Sequence, residues 1–366
     1  MRTRSLVLLC CLSLLFAMHG ARAQNAQDSP TASEGLKHRT PESIENERAA
    51  SRHITIDVNV TDAAGKPVTG LEQQDFKLLD NRQPQAITSF HAVQSATANP
   101  PTEVVLLIDL INTSFQRIAF ERQQVEKFLQ QDGGHLPYPV RLVLVSETGI
   151  EIQPQTSQDG NALVELLDNA HTGIRAIGRA AGAAGAAERL QMSLRSLDQL
   201  IAYEGQKPGR KLMLWISPGW PMLASPGFTV TNNQQRWIFN SIAGFTNSLR
   251  KARITLYAID PLGAGEGLGN EYYYESFLKP VTAAKQVNYG NLGLQVLSVH
   301  SGGIVVPASN DLTAEINRCV ADTEAYYVLS FESTPTEKAD EYHALTVEVD
   351  KSGAKVRTST GYYAEP

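Results

Sequence analysis

A short polar segment follows an apolar run near residue 109. The run, residues 104–108, is Val-Val-Leu-Leu-Ile, and its unbroken apolar character predicts a strand buried on both faces of a parallel sheet. Asp109 ends the run, and Asn112 and Thr113 follow in the predicted turn. Carboxylate, amide and hydroxyl oxygens are ligands that Mg²⁺ accepts in proteins. The pattern therefore allows a divalent-cation site with Asp109 as its carboxylate.

A helix is predicted directly after this turn. Apolar residues recur at helical spacing in residues 115–129 and form one face. Strand, turn and helix together place Asp109 at the carboxyl edge of a central strand, where open α/β sheets bind ligands. A second interpretation stays open: Asn112, Thr113 and Ser114 cap the helix, and Asp109 stabilises its positive end.

Strands and helices alternate through the middle of the chain. The periodicity predicts further strands at 140–146, 150–153, 211–216, 254–259 and 302–306, and helices at 162–169, 188–203, 234–251, 292–300 and 311–321. This alternation predicts a doubly wound, mostly parallel sheet over residues 102–322. The Ala and Gly run at 178–187 either starts a close-packed helix or forms a mobile loop.

Strands without intervening helices lie at both ends of the chain. Apolar and polar residues alternate at 54–60, 76–79 and 87–93, and again at 326–331, 343–349 and 355–359. Three strands cannot close a core by themselves. We therefore expect one antiparallel β-sandwich made of residues 52–95 and 324–364, with the α/β domain inserted between them.

The first residues have the parts of a secretory signal peptide. Arg2 and Arg4 precede an apolar core, and Ala21 and Ala23 form a small-x-small cleavage site. Residues 1–23 are therefore predicted to be removed, which makes the mature protein secreted or periplasmic. Residues 24–51 contain no aromatic residue and predict a flexible leader. No segment has the length that a transmembrane helix needs.

Charge and cysteine content exclude several classes of protein. Loss of the three arginines in residues 1–23 takes the formal charge from −6 to −9, which argues against a nucleic-acid partner. Of the three cysteines, only Cys319 remains after cleavage, so no internal disulfide is possible.

The order of several motifs resembles the VWFA-related family of secreted bacterial proteins, which contain a von Willebrand factor A-type domain. The matching segments are 68–76 (Val-Thr-Gly-Leu-Glu-Gln-Gln-Asp-Phe), 109–113 (Asp-Leu-Ile-Asn-Thr), 215–219 (Trp-Ile-Ser-Pro-Gly), 326–329 (Tyr-Tyr-Val-Leu) and 361–363 (Gly-Tyr-Tyr). The resemblance covers nearly all of the mature chain. It implies an A-type fold and an interaction role without a known ligand.

The resemblance also implies where a metal would bind. The family's loop is Asp-x-Ser-x-Ser, whereas this chain has Ile111 at the second ligand position and Thr113 at the third. The family's second carboxylate is replaced by proline in the turn at 217–219, which leaves Ser217, and Thr172 corresponds to the family's threonine by order only. The implied ligands are therefore Asp109, Asn112, Thr113 and Ser217. We expect Asp109 to be structural, no cofactor, and weak binding of any Mg²⁺ or other divalent cation.

Two loops with aromatic residues are expected at the same edge of the sheet. Tyr and Trp are enriched at binding hot spots because they cover a large area at a small entropic cost. The sequence therefore predicts a partner-binding surface, although the same rings alternatively fold inward as a lid on the sheet. The residues of this surface are Trp220, Phe228, Tyr272, Tyr273 and Tyr274.

Familiar catalytic motifs are missing from the sequence, and no catalytic residue is predicted. His91, His300 and His343 lie in or beside apolar segments, where structural roles are expected. The preferred interpretation is an exported, non-enzymatic adhesion or scaffold protein that binds an extracytoplasmic protein or other macromolecule. One alternative is an exported hydrolase or metal-dependent enzyme that uses the Asp109 edge. Another is a small-ligand sensor that uses the cleft between the sandwich and the inserted domain.

Overall fold

The computed structural model describes residues 52–170, 182–223, 230–261, 272–334 and 338–365. The predicted signal peptide and leader lie outside these residues. The strands are β1 (His53–Thr61), β2 (Phe76–Asp80), β3 (Gln83–Gln85), β4 (Ser89–Gln94), β5 (Glu103–Asp109), β6 (His135–Ser146), β7 (Gly149–Ile152), β8 (Ser157–Asp159), β9 (Lys211–Ile216), β10 (Ile254–Ile259), β11 (Val305–Val306), β12 (Ala325–Glu332), β13 (Tyr342–Val349), β14 (Lys355–Arg357) and β15 (Gly361–Tyr363). The helices are α1 (Phe115–Leu129), α2 (Gly160–Ala170), α3 (Gly182–Gly205), α4 (Asn232–Lys251), α5 (Leu294–His300) and α6 (Leu312–Val320).

The largest sheet is the predicted α/β sheet. Its strand order is β11-β10-β9-β5-β6-β7, with β8 also paired to β6. Strands β11, β10, β9, β5 and β6 are parallel to their neighbours, whereas β7 and β8 run antiparallel to β6. The prediction of a doubly wound, mostly parallel sheet is confirmed.

Both faces of this sheet are covered by helices, which explains the continuous apolar strands. On one face, Val105 and Leu107 of β5 pack with apolar residues of α3, α4 and α5. On the other, Val104, Leu106 and Ile108 pack with α1, α2 and α6. Because Asp109 has the same parity as Leu107, its side chain starts on the α3 face.

The Ala and Gly run is partly helical. Helix α3 begins at Gly182, six residues before the predicted start at Glu188, so residues 182–187 form a helix start. Residues 178–181 lie outside the described residues. Within the described part of the chain, no helix combines the length and apolar character required to cross a bilayer.

The two ends of the chain form two antiparallel four-stranded sheets, as predicted. One has the order β14-β1-β12-β4 and the other β15-β13-β2-β3, so each contains strands from both ends. Their shared core includes Ile56, Leu78 and Leu329. The predicted domain boundaries stay predictions, since the described residues belong to one compact unit.

Candidate functional site

Asp109 lies at the carboxyl edge of the sheet, as the sequence predicts. It is the last residue of β5 and pairs in register with Val145 of β6. Its side chain is fully buried, at 0% exposure. A buried carboxylate requires several hydrogen bonds to compensate for lost hydration, so its partners decide what it does.

Four N–H groups donate hydrogen bonds to the Asp109 carboxylate. Oδ1 accepts from the backbone N–H groups of Ile111 and Asn112, each at 3.0 Å. Oδ2 accepts from Asn112 Nδ2 at 2.8 Å and from Trp215 Nε1 at 3.0 Å. Because an ionised carboxylate offers about four lone-pair sites, this set occupies the acceptor capacity of Asp109.

Strand pairing explains how Trp215 reaches Asp109. Trp215 pairs with Leu107 of β5 on one side and with Ala258 of β10 on the other. The small side chain of Ala258 leaves room for the indole, which is fully buried. The ring extends along the α3 face to the next row of side chains, where Asp109 lies.

The polar turn is held together by its own amide and by α3. Asn112 Nδ2 also donates to Ser193 Oγ at 2.9 Å, so the amide nitrogen points into the turn. Thr113 is fully buried. Ser114 occupies the N-cap position of α1, yet its side chain accepts no capping hydrogen bond. Asp109 therefore stabilises the turn, while the backbone oxygen of Ser114 accepts the first helical bonds.

The residues at this edge do not fit a divalent cation. Ile111, which stands where the resemblance implies a second ligand, is buried in the apolar core on the α3 face. Ser217 Oγ accepts a hydrogen bond from the backbone of Gly219, and Pro218 offers no carboxylate. Thr172 lies outside the described residues. In the described ranges, no three His, Cys, Asp or Glu side chains are arranged to hold a metal.

Glu121 is a buried acid near this turn that the sequence analysis missed. It is 0% exposed, and burial raises the pKa of its carboxyl well above the usual value. The negative charge of Asp109 raises this pKa further, while a hydrogen bond with Thr113 lowers it in part. Burial and the nearby Asp109 carboxylate therefore both oppose ionisation of Glu121.

The loop after β9 folds inward. Trp220 is 3% exposed and packs edge-on against Trp215, with ring centroids 4.9 Å apart at 75°. Leu223 is also buried in the same core. For Trp220, the structure therefore shows the inward-folded alternative, and its ring is not on the surface. Phe228 lies outside the described residues.

The predicted tyrosines divide by exposure. Tyr272 is 61% exposed and Tyr273 41%, whereas Tyr274 is half-buried. The ring of Tyr273 packs against Phe277, with centroids 5.4 Å apart. Tyr272 and Tyr273 therefore face solvent, and the ring of Tyr273 is supported by its contact with Phe277.

Close backbone approaches connect these tyrosines to the loop after β9. Gly290 lies against the Phe277 ring, where an added Cβ would come within 2.6 Å of a ring carbon. Asn291 Nδ2 donates to the Phe277 carbonyl at 3.1 Å. Gly219, with φ +106°, lies against the side chain of Gln295 at the start of α5. The segment that carries Tyr272, Tyr273, Tyr274 and Phe277 (the tyrosine segment) and the loop after β9 (the edge loop) therefore both contact the turn at residues 290–295.

Two of the three histidines have buried, hydrogen-bonded surroundings, and the third is exposed. His343 Nδ1 lies 2.9 Å from Asp80 Oδ1, and this hydrogen bond raises the pKa of His343. Tyr362 donates to the same carboxylate. His300 Nδ1 lies 2.7 Å from Thr360 Oγ1, and burial lowers the pKa of His300 to about 4. His91 is exposed on β4.

Comparison with known proteins shows distant likeness only. No family model and no curated protein matches the chain. Matching solved structures include the human COPII-coat protein Sec24c, at 9% identity and a TM-score of 0.32, with 75% of this chain and 46% of that chain covered. They also include the pilus adhesin SpaC from Lactobacillus rhamnosus GG, at 10% identity and a TM-score of 0.37, with 80% and 49% covered. This chain thus spans about half the length of each. The architecture itself is a mostly parallel mixed sheet covered by helices, together with two antiparallel four-stranded sheets.

Proposed function

We propose that this chain is an exported, non-enzymatic binding or scaffold protein whose A-like sheet holds another extracytoplasmic macromolecule. The observation that carries the proposal is the exposed pair Tyr272 and Tyr273 beside the edge loop. Aromatic side chains with few rotatable bonds bind at a small entropic cost. Phe277 packs against Tyr273 and restrains its ring before a partner binds, which lowers the entropic cost of binding further.

The contacts of Asp109 support a role without chemistry at this edge. A catalytic carboxylate must reach substrate or water, whereas Asp109 is fully buried and accepts four hydrogen bonds from the protein itself. The edge is thereby a rigid support for the neighbouring loops. Binding follows from the shape and aromatic character of those loops.

Export and family membership belong to the same proposal. The arginines, apolar core and small-x-small pattern of residues 1–23 support secretion to the periplasm or beyond. The order of the matching motifs supports membership of the VWFA-related family of secreted bacterial proteins. A partner in an extracytoplasmic compartment is consistent with both.

A capture experiment tests the proposal. The mature protein is immobilised and exposed to an extracytoplasmic extract in the presence of a chelator, beside a Tyr272→Ala/Tyr273→Ala double variant. Leu166→Ala is the matched control, because Leu166 is 44% exposed on α2, on the opposite face of the sheet. We expect the wild type and the Leu166→Ala control to capture a partner with saturable binding, and the double variant to lose that binding.

Two results would contradict the proposal. Equal capture by the double variant and the wild type would show that Tyr272 and Tyr273 do not form the binding surface. Turnover in a panel of hydrolase substrates, abolished by Asp109→Asn, would favour the enzyme alternative instead.

A further inference from the structure

The indole of Trp215 points to a specific reason why this edge does not fit a metal. We propose that the Trp215 N–H takes the place of a divalent cation at Asp109, and that Trp215 is the positioning residue that fixes both the Asp109 turn and the loop after β9. The contacts of Asp109 carry the proposal, and Ile111 and Pro218 agree with it. It holds whichever partner the tyrosine surface binds.

The first step is the occupancy of the carboxylate. Each oxygen of Asp109 accepts two N–H groups at 2.8–3.0 Å, all of them neutral donors. A cation would have to displace at least one of these donors, and the backbone donors of Ile111 and Asn112 are fixed by the turn. The displaceable donors are therefore the Asn112 amide and the Trp215 indole, both on Oδ2.

The second step is that the indole is not free to leave. Trp215 is fully buried between Leu107 and Ala258 on the sheet. Trp220 packs edge-on against its ring. Removing Trp215 from Oδ2 would require the loop that carries Trp220 to move as well.

The third step concerns two nearby residues that stand where the resemblance implies metal ligands. Ile111 fills apolar core where a hydroxyl ligand would be needed, and Pro218 stands where a second carboxylate would be needed. A cation at Asp109 would therefore find few oxygen ligands besides water, Thr113 and Ser217. One carboxylate with an indole donor forms a closed arrangement that needs no ion.

Trp215 also links the two parts of the surface. Its N–H holds the Asp109 turn, and its ring supports Trp220 in the loop after β9. That loop contacts Gln295 through Gly219, next to the turn that supports Phe277. The same side chain thus positions the turn and the loop on which the tyrosine segment rests.

The test compares Trp215→Phe with Trp220→Phe in the full mature chain. Both variants shorten a buried indole in one core, but only the first removes a donor from Asp109; Trp220 Nε1 has no acceptor among the described residues. Thermal unfolding is followed with and without millimolar Mn²⁺. We expect no Mn²⁺ effect on the wild type or Trp220→Phe. For Trp215→Phe we expect a lowered Tm that millimolar Mn²⁺ partly restores, because the freed Oδ2 lets the ion bind weakly through Asp109, Thr113, Ser217 and water.

Two results of this comparison would overturn the inference. One is a Trp215→Phe variant that Mn²⁺ does not stabilise. The other is a wild type that Mn²⁺ stabilises as strongly as the variant, because Trp215 would then not exclude the ion.

A measurement on the unmodified protein covers the case in which Trp215→Phe does not fold. In a ¹H–¹⁵N spectrum, paramagnetic Mn²⁺ broadens signals of groups close to it. We expect the Trp215 indole signal to stay sharp in Mn²⁺ and to exchange slowly with solvent. Selective broadening of that signal, reversed by excess Mg²⁺, would show a cation in the site and overturn the inference.

Discussion

Arg210 Nη2 donates a hydrogen bond to Asn59 Oδ1 at 2.5 Å, across 151 positions of the chain. Arg210 is 1% exposed and also donates from Nη1 to the Asp322 carbonyl at 3.0 Å. Its guanidinium lies over the ring of Tyr326, 4.4 Å from the centroid. One side chain therefore joins β1 of the sandwich to the α/β sheet and to the segment between them.

Replacing Arg210 should destabilise the whole described unit. Arg210→Met leaves Asn59 Oδ1 without its charged donor and removes one of the two donors to the Asp322 carbonyl, and we expect a loss of about 2–4 kcal/mol. Arg210→Lys, which keeps the charge but not the fork of donors, should lose less. Urea unfolding followed by fluorescence and circular dichroism measures both. A loss below about 1 kcal/mol for Arg210→Met would mean that this junction does not hold the two parts together.

Trp220 and Tyr272 should differ sharply in their effect on stability. Trp220→Ala empties a site in the core beside Trp215 and should lower the free energy of unfolding by about 3–5 kcal/mol. Tyr272→Ala changes an exposed side chain and should stay within about 0.5 kcal/mol of the wild type. Thermal and urea unfolding of the two variants decide this. Similar losses for both would contradict the burial of Trp220.

Gly290 should be required for the tyrosine segment. Gly290→Ala forces a methyl group into the Phe277 ring, so we expect a loss of about 1–3 kcal/mol and weaker partner capture. Gly244→Ala is the control, since its added methyl meets nothing within 4 Å in helix α4 and should raise stability by up to about 1 kcal/mol. Unfolding curves measure both, and a neutral Gly290→Ala would show that Phe277 does not depend on this close approach.

His300 should make stability fall in weak acid. Burial lowers its pKa from an ordinary value of 6.5 to about 4, so the folded protein favours the neutral ring. The contribution is present above pH 6.5 and is lost as the pH falls through 4, by at most about 3 kcal/mol. His300→Gln removes this slope, and urea unfolding at a series of pH values measures it. Equal slopes for the variant and the wild type between these pH values would contradict the assignment.

The position of Asp109 could be predicted from sequence because it depends on local pattern. An unbroken apolar run predicts a central strand, and the residue after it lies at the carboxyl edge. The same reasoning predicted both terminal groups of strands. It extended β14 by two residues, to 359, and gave no strand where β15 lies, since residues 358–360 are turned by contacts with Asp57 and His300 that lie far away in the chain.

The partners of Asp109 could not be predicted in the same way. Trp215 lies 106 positions along the chain from Asp109, and Ser193, which holds Asn112 of the same turn, lies 81 positions from Asn112. The tertiary fold brings these residues together, so local sequence does not reveal the contacts. Glu121 did leave a local signal, because it interrupts the apolar spacing of Ile118, Val125 and Phe128 on the buried face of α1. For Trp220, loop composition alone does not decide whether a ring points inward.

Calorimetric titration of the full mature protein with Mn²⁺ and Mg²⁺ tests the central claim most directly. The donors on Asp109 predict no saturable heat with either ion, and no change when Asp109 is replaced by Ala in a variant that remains folded. A one-site isotherm in the micromolar range that Asp109→Ala abolishes would contradict the account.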